Sequence, residues 1–343
     1  MTDIFIRIEG RAGRITLQRP DALNALTYDM VLAIEAALDD WRAADIDLIL
    51  LDAEGPRAFC SGGDIADMYK SGQEGNLDYG RQFWRDEYRL NAKIFEYPKP
   101  VVSFLQGFTM GGGVGVGCHG THRIVGESSQ IAMPEVSIGL VPDVGGSLML
   151  ALAPGRLGEY LGTTATRMNA ADAIYAGFAD AYAPEAEWDG LKAHMIATGK
   201  IPSLDATAPD GTLEALRPQI DHHFGGETLA DILRSLATED TDFTAKALKV
   251  LHRNAPLAMA CAVEITHRLR GAQSIRQALD QEFRYTYRAV AQGDFVEGIR
   301  AAIIDRDRAP KWAHAAPQDV TDMLVAQMLL PLGKDALNWK DMP

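Results

Sequence analysis

Cysteine is scarce. The three in this 343-residue chain, Cys60, Cys118 and Cys261, are odd in number and widely spaced, so no disulfide framework is expected. The N-terminus, MTDIFIRIEG, lacks the basic start and apolar stretch of a secretory signal. Together these features make a reducing cytoplasm the expected location. Basic charge is short as well: 33 Lys and Arg against 47 Asp and Glu leave a net charge of −14 at pH 7. Nucleic acid as a main partner is therefore not expected, because phosphate neutralisation needs a basic footprint. A small anionic ligand stays open, since backbone N–H groups or a few local cations can hold one. No apolar run reaches the ~18 residues of a membrane span. A GxSxG elbow is missing, which disfavours a serine hydrolase of the α/β type.

What is present reads as an ordinary folded chain, 47% hydrophobic and 23% charged. Its length suits about two domains, or one large domain with an appendage. Ile4, Ile6 and Ile8, a GRAG turn, then Ile15 and Leu17 predict a half-buried hairpin. Thr27 is placed to cap a helix whose Met30, Ile34, Leu38 and Trp41 share one apolar face. DLILLDA (47–53) and VVSFLQG (101–107) have the near-continuous apolar run of buried strands. Between them, PRAFCSGGD reads as a loop before a short helix from about residue 64, and 71–79 as a flexible loop. A long helix over 80–96 is stopped by Pro98 and Pro100. THRIVGE and SQIAMPE are short strand candidates, helical patterns dominate from about residue 145, and KIPSLDATAPDG (200–211) reads as a linker.

The densest feature is GFTMGGGVGVGCHG (107–120), which holds seven of the 32 glycines. Gly115, Gly117 and Gly120 spell GxGxxG, and Glu135 follows twenty residues after Gly115. A dinucleotide turn needs a strand, the glycines, a full helix, and a second strand carrying the acid. Here the strand pattern HRIV restarts at 122, so no helix of normal length fits, and the motif fails. A phosphate loop fails too, since no Lys-Ser or Lys-Thr pair follows these glycines. What remains is a strand running into three glycines and a short helix. Helix-start N–H groups lack internal acceptors, and glycine lets a ligand oxygen approach them. That suits an oxyanion hole, in which donors face a carbonyl oxygen that becomes negative. Tight packing of small residues explains the same glycines equally well. SGGD (61–64) repeats the arrangement, and one donor from each stretch makes a two-donor hole.

LNALT (23–27), AFCSGGDIADM (58–68), VVSFLQG leading into TMGGGVGVG, and MPEVSIGLVPDVGG (133–146) together resemble the crotonase (enoyl-CoA hydratase/isomerase) superfamily. FWRDEYRLN (83–91), the HG of 119–120 and DFVEGIRAAIIDRDRAPKW (294–312) extend the likeness to its 3-hydroxyisobutyryl-CoA hydrolase branch. The resemblance implies an α/β fold, a crotonase-like spiral of ββα units over 1–200 with a mostly helical C-terminal region over 201–343. It implies an acyl-CoA substrate, with CoA belonging to that substrate and no separate cofactor, and a homo-oligomer, trimer or hexamer. The carried-over oxyanion donors are Gly63 and Gly112, with Gly62, Asp64 and Gly111 beside the substrate. Hydratases of the superfamily use two glutamates, one of them shortly after the triple glycine; here Gly115 stands in that place. The second is present as Glu135, and a further acid, Asp143, lies eight residues on. The resemblance assigns both to thioester hydrolysis in valine breakdown, Glu135 as nucleophile or general base. Asp143 then orients the substrate hydroxyl, holds water or relays a proton.

Plainer readings stand beside these. Glu135 after Pro134 suits a helix first turn, and Asp143 before VGGSLML suits a helix cap. His119 suits a hydrogen-bonded structural position; His119 and His122 lack the Glu of a zinc-protease helix, so no metal is expected. Cys60 and Cys118 read as small buried thiols. Lys70, Arg85 and Arg89 suit a solvated face or CoA phosphates. An isomerase or hydratase working through Glu135, and an acyl-CoA-binding protein without turnover, are the alternatives.

Overall fold

The alternating isoleucines form the expected hairpin: β1 (Ile4–Glu9) and β2 (Ala12–Leu17) pair antiparallel with Ile6 opposite Ile15. The computed structural model describes residues 3–340. After α1 (Tyr28–Trp41), whose Met30 amide donates to the Thr27 side chain, the chain alternates between two sheets. β3 (Leu48–Ala53) adds parallel to β2, whereas β4 (Ala58–Cys60) begins a second sheet. Beyond α2 (Ala66–Gln73) and α3 (Leu77–Phe95), β5 (Val101–Phe104) returns to the first sheet and β6 (Phe108–Met110) to the second. Past α4 (Gly112–Gly117), β7 (His122–Val125), β8 (Gln130–Ala132) and β9 (Ala181–Tyr182) continue the alternation. The sheets have the orders β1-β2-β3-β5-β7-β9 and β4-β6-β8, parallel beyond the first hairpin. This alternation is the spiral that the resemblance implies.

Parallel strands are covered on both faces, which is why β3 and β5 read as continuous apolar runs. Leu48, Leu50, Val102, Phe104 and Ile124 meet Trp188 and Met195 in one buried cluster. Ile201 and Leu204 of the 200–211 stretch pack against this cluster. That stretch, expected as a linker, is therefore laid down on the sheet.

Three further expectations need correction. PRAFCSGGD contains β4, and VVSFLQG does not run straight into the glycines. β5 ends at Phe104, the Gln106 side chain holds the Ala53 and Gly55 carbonyls, and β6 starts in the other sheet. Three-residue strands are too short to show alternation, and their pairing is set by tertiary contacts. The flexible loop expected at 71–79 shrinks to the residues between α2 and α3, where the Ser71 hydroxyl donates to the Asn76 carbonyl at 2.6 Å.

The chain forms two compact units. The first comprises residues up to 64, 89–132 and 167–214, and holds both sheets. The second comprises 65–88, 133–166 and residues from 215 on, and has no strand among its described residues. It includes a 3-10 turn, Glu135–Ile138, and the helices Gly146–Leu152, Leu157–Thr164, Pro256–Arg268 and Ile275–Gln292. No described helix is long and apolar enough to cross a membrane.

Candidate active site

In the first unit, LNALT is the segment that fixes the SGGD loop. Asn24 is buried with φ +53, and its side-chain amide donates to the Glu54 and Ala58 carbonyls. Leu26 then bridges Gly63 in parallel: its amide donates to the Gly62 carbonyl at 2.9 Å, and its carbonyl accepts from Asp64 N at 2.7 Å. In such a pairing the Gly63 N–H points away from Leu26, and it finds no backbone acceptor among the described residues. Gly112 is the first residue of α4, where no intrahelical acceptor exists, and its N–H has no backbone acceptor among the described residues either.

The two glycine loops lie against each other. Gly62 has φ +117, and a Cβ there would lie 3.3 Å from the Met110 carbonyl oxygen and 3.9 Å from Gly112 N. At Gly113 a Cβ would come within 2.2 Å of the Cys60 carbonyl oxygen, so only glycine fits. Gly62, Gly63, Gly111 and Gly112 are thus gathered at one place, with two amides that have no backbone acceptor among the described residues and can donate to an oxyanion. Asp64 is committed elsewhere, its carboxylate 3.1 Å from Arg19 at a partly exposed edge. The letters of GxGxxG serve packing: a Cβ at Gly117 would strike Leu105 and Phe59. Gly115 lies buried within α4 and offers no carboxylate.

In the second unit, Glu135 opens its 3-10 turn directly after Pro134, as a first-turn acid. Asp143 is not a helix cap. The following helix starts at Gly146 behind Gly145, which is left-handed at φ +80, and the Asp143 carboxyl turns to the Tyr88 hydroxyl. Tyr88 is fully buried and donates to Asp143 Oδ2 at 2.8 Å. Glu135 and Asp143 are each 4% exposed, and Glu135 Oε2 has no hydrogen-bond partner among the described residues.

Two further buried acids interact with this pair, Glu87 on α3 and Glu282 on the Ile275–Gln292 helix. No ion-pair partner of any of the four occurs among the described residues. Burial away from water is the main reason why all four hold their protons more tightly than ordinary carboxyls. Asp143 is pushed up to about 7, opposed by the Tyr88 hydrogen bond. Glu282 is pushed up to about 8 by burial and then by the Asp143 charge. Glu135 is raised by burial and then by the same charge. Such a set titrates as a unit, and near neutral pH some members are ionised while others keep protons.

Glu87, Tyr88 and Glu282 were not singled out from the sequence. The signal was there: each acid interrupts an apolar helix face, Glu87 with Phe83, Trp84 and Tyr88, and Glu282 with Ile275, Leu279 and Phe283. Among the cations, Arg89 makes a bidentate pair with Glu35, and Arg85 holds the Asp335 and Ala336 carbonyls; Lys70 is exposed. His119 is buried edge-on to Phe95. All three cysteines are buried and none is in a disulfide, and burial pushes the Cys118 thiol up to about 12.

A spiral that passes strand by strand between two sheets, with glycine amides that lack a backbone acceptor among the described residues at adjoining turns, defines a protein of the crotonase class. The chain belongs to the enoyl-CoA hydratase/isomerase family, which it matches over residues 12–329. It is similar to the mitochondrial 3-hydroxyisobutyryl-CoA hydrolase of Gallus gallus, 32% identical, with 98% of this chain and 90% of that protein covered. Among solved structures it is similar to an enoyl-CoA hydratase from Rhodobacter sphaeroides 2.4.1, 55% identical with a TM-score of 0.96, covering 98% of this chain and 100% of that one. A carnitinyl-CoA dehydratase from Mycobacterium thermoresistibile is 37% identical with a TM-score of 0.93, covering 99% and 100%.

Proposed function

We propose that the protein hydrolyses a short 3-hydroxyacyl-CoA thioester, 3-hydroxyisobutyryl-CoA in particular, to the free hydroxy acid and CoA, as a step of valine breakdown. The observation that carries this reading is the buried Glu135–Asp143 pair in a chain with Gly115 where a hydratase has its other acid. The name of the Gallus gallus relative supports the same chemistry.

In this mechanism the Gly63 and Gly112 amides take the thioester carbonyl oxygen as it becomes negative, a contribution of about 10²–10³ in rate per donor. The ionised member of the acid pair acts at the carbonyl carbon. As nucleophile, the Glu135 carboxylate forms the acyl C–O bond of a mixed anhydride while the C–S bond breaks. The thiolate takes its proton from whichever acid of the coupled set remains protonated, and water then cleaves the anhydride. As general base, Glu135 instead takes the proton of a water whose oxygen bonds the carbonyl carbon as the C–S bond breaks, and the thiolate leaves with that proton or one from the neighbouring acid. Either route needs one carboxylate and one carboxylic acid together, which is what mutual repulsion between buried acids favours.

A second reading is supported by the Rhodobacter sphaeroides and Mycobacterium thermoresistibile relatives, described as a hydratase and a dehydratase. Water addition across an enoyl double bond needs an acid–base pair at the chain carbons and frees no thiol. Thiol release measured over a panel of short acyl-CoAs, beside hydration of crotonyl-CoA, separates the two. The hydrolase reading predicts thiol from 3-hydroxyisobutyryl-CoA. Hydration without thiol would transfer the assignment to the second reading.

A further inference from the structure

We infer that Glu282 is a positioning residue for Asp143, clamping the left-handed turn that carries the Asp143 carboxyl. The inference rests on the hydrolase reading for its catalytic consequence, though its geometry stands alone. Immediately after Asp143 the chain passes through Val144 at φ +53 and Gly145 at φ +80. A β-branched residue in the left-handed region is strained, and it persists only where its surroundings hold it. Glu282 supplies the hold. It is 0% exposed, Oε2 accepts from Gly145 N at 2.9 Å, and Oε1 accepts from Ser147 N at 3.1 Å and from the Ser147 hydroxyl. The Asp143 carbonyl closes the turn by accepting from Gly146 N at 2.7 Å.

The same helix also reaches the other end of Asp143. Thr286, one turn beyond Glu282, lies 3.4 Å from the Tyr88 hydroxyl that donates to Asp143 Oδ2. One helix thus fixes the backbone behind Asp143 and the hydrogen bond in front of it. Most of the other buried residues of this helix are apolar (Ile275, Ala278, Leu279, Phe283 and Ala289), and a carboxyl is costly to bury among them without bonds of this kind. The titratable groups that face Glu282 are Asp143, Glu135, Glu87 and Tyr88, and no cation is paired with any of these acids among the described residues.

Glu282→Gln keeps the length of the side chain but sets an amide donor against one of the backbone N–H groups. Misplacement by about 1 Å costs about 10²-fold in rate, so kcat for thiol release should fall by about that factor with KM little changed. The pH–rate profile should change shape on its alkaline side, because burial pushes the Glu282 carboxyl up to about 8 and its removal takes one acid out of the coupled set. A structural cap alone would lower activity only with the folded fraction and leave the profile's shape intact; that result, or wild-type kcat with a wild-type profile, overturns the inference. Amide hydrogen exchange gives a readout independent of substrate: Gly145 and Ser147 should exchange at least about tenfold faster in Glu282→Gln. If the wild type frees no thiol from any acyl-CoA, the hydrolase reading fails and the exchange result alone decides the clamp. Unchanged exchange overturns it.

Discussion

The Tyr88 hydroxyl donates a 2.8 Å hydrogen bond to Asp143 Oδ2 between residues 55 apart in sequence, both buried. A donor to the charged form favours ionisation, so this bond holds Asp143 at about 7 against a burial effect that alone would raise it further. In Tyr88→Phe the limb of the kcat/KM profile near pH 7 should move to higher pH by about one unit, the worth of one such hydrogen bond to a charged group. A profile superimposable on the wild type's would detach Asp143 from the rate.

Stability should respond to the same burial. Asp143 binds its proton more tightly in the folded chain than in the unfolded one. Its contribution is therefore full below about pH 4 and is lost as pH rises toward 7. Glu135 and Glu87, raised by burial in the same way, act in the same direction. Asp143→Asn should melt at a higher temperature than the wild type at pH 8, with the advantage shrinking at pH 4. An equal or lower melting temperature at pH 8 would contradict the buried-charge account.

The oxyanion donors can be tested through the backbone. Proline at the first position of a helix removes the N–H and is tolerated there. Gly112→Pro should lower kcat by about 10²–10³ and leave folding largely intact. Gly113→Ala is the contrasting change: a Cβ 2.2 Å from the Cys60 carbonyl oxygen should destabilise the fold by about 1–3 kcal/mol or more, seen as a lowered denaturation midpoint.

How much of this was legible in the sequence depends on the range of the interaction. The hairpin, the Thr27 cap and the long strands are local patterns, and they appear where their spacing places them. Gly115, Gly117 and Gly120 were correctly read as no nucleotide turn, because a six-residue helix separates β6 from β7. β4 and β6 escaped notice because three residues carry too little periodicity, so the sheet bearing both glycine loops was unseen. Glu87 and Glu282 were visible only as acids on apolar helix faces. Their significance depends on partners far along the chain: Glu282 meets Gly145 across 137 residues, and Tyr88 meets Thr286 across 198. No local pattern encodes those meetings.

The central claim is tested most directly by thiol release from 3-hydroxyisobutyryl-CoA, measured for the wild type and for Glu135→Gln at equal folded concentration. The wild type should free CoA thiol, and the variant should lose about 10²–10⁴ in kcat while still binding the thioester. Turnover in Glu135→Gln equal to that of the wild type, or a wild type that hydrates crotonyl-CoA and frees no thiol, would contradict the account.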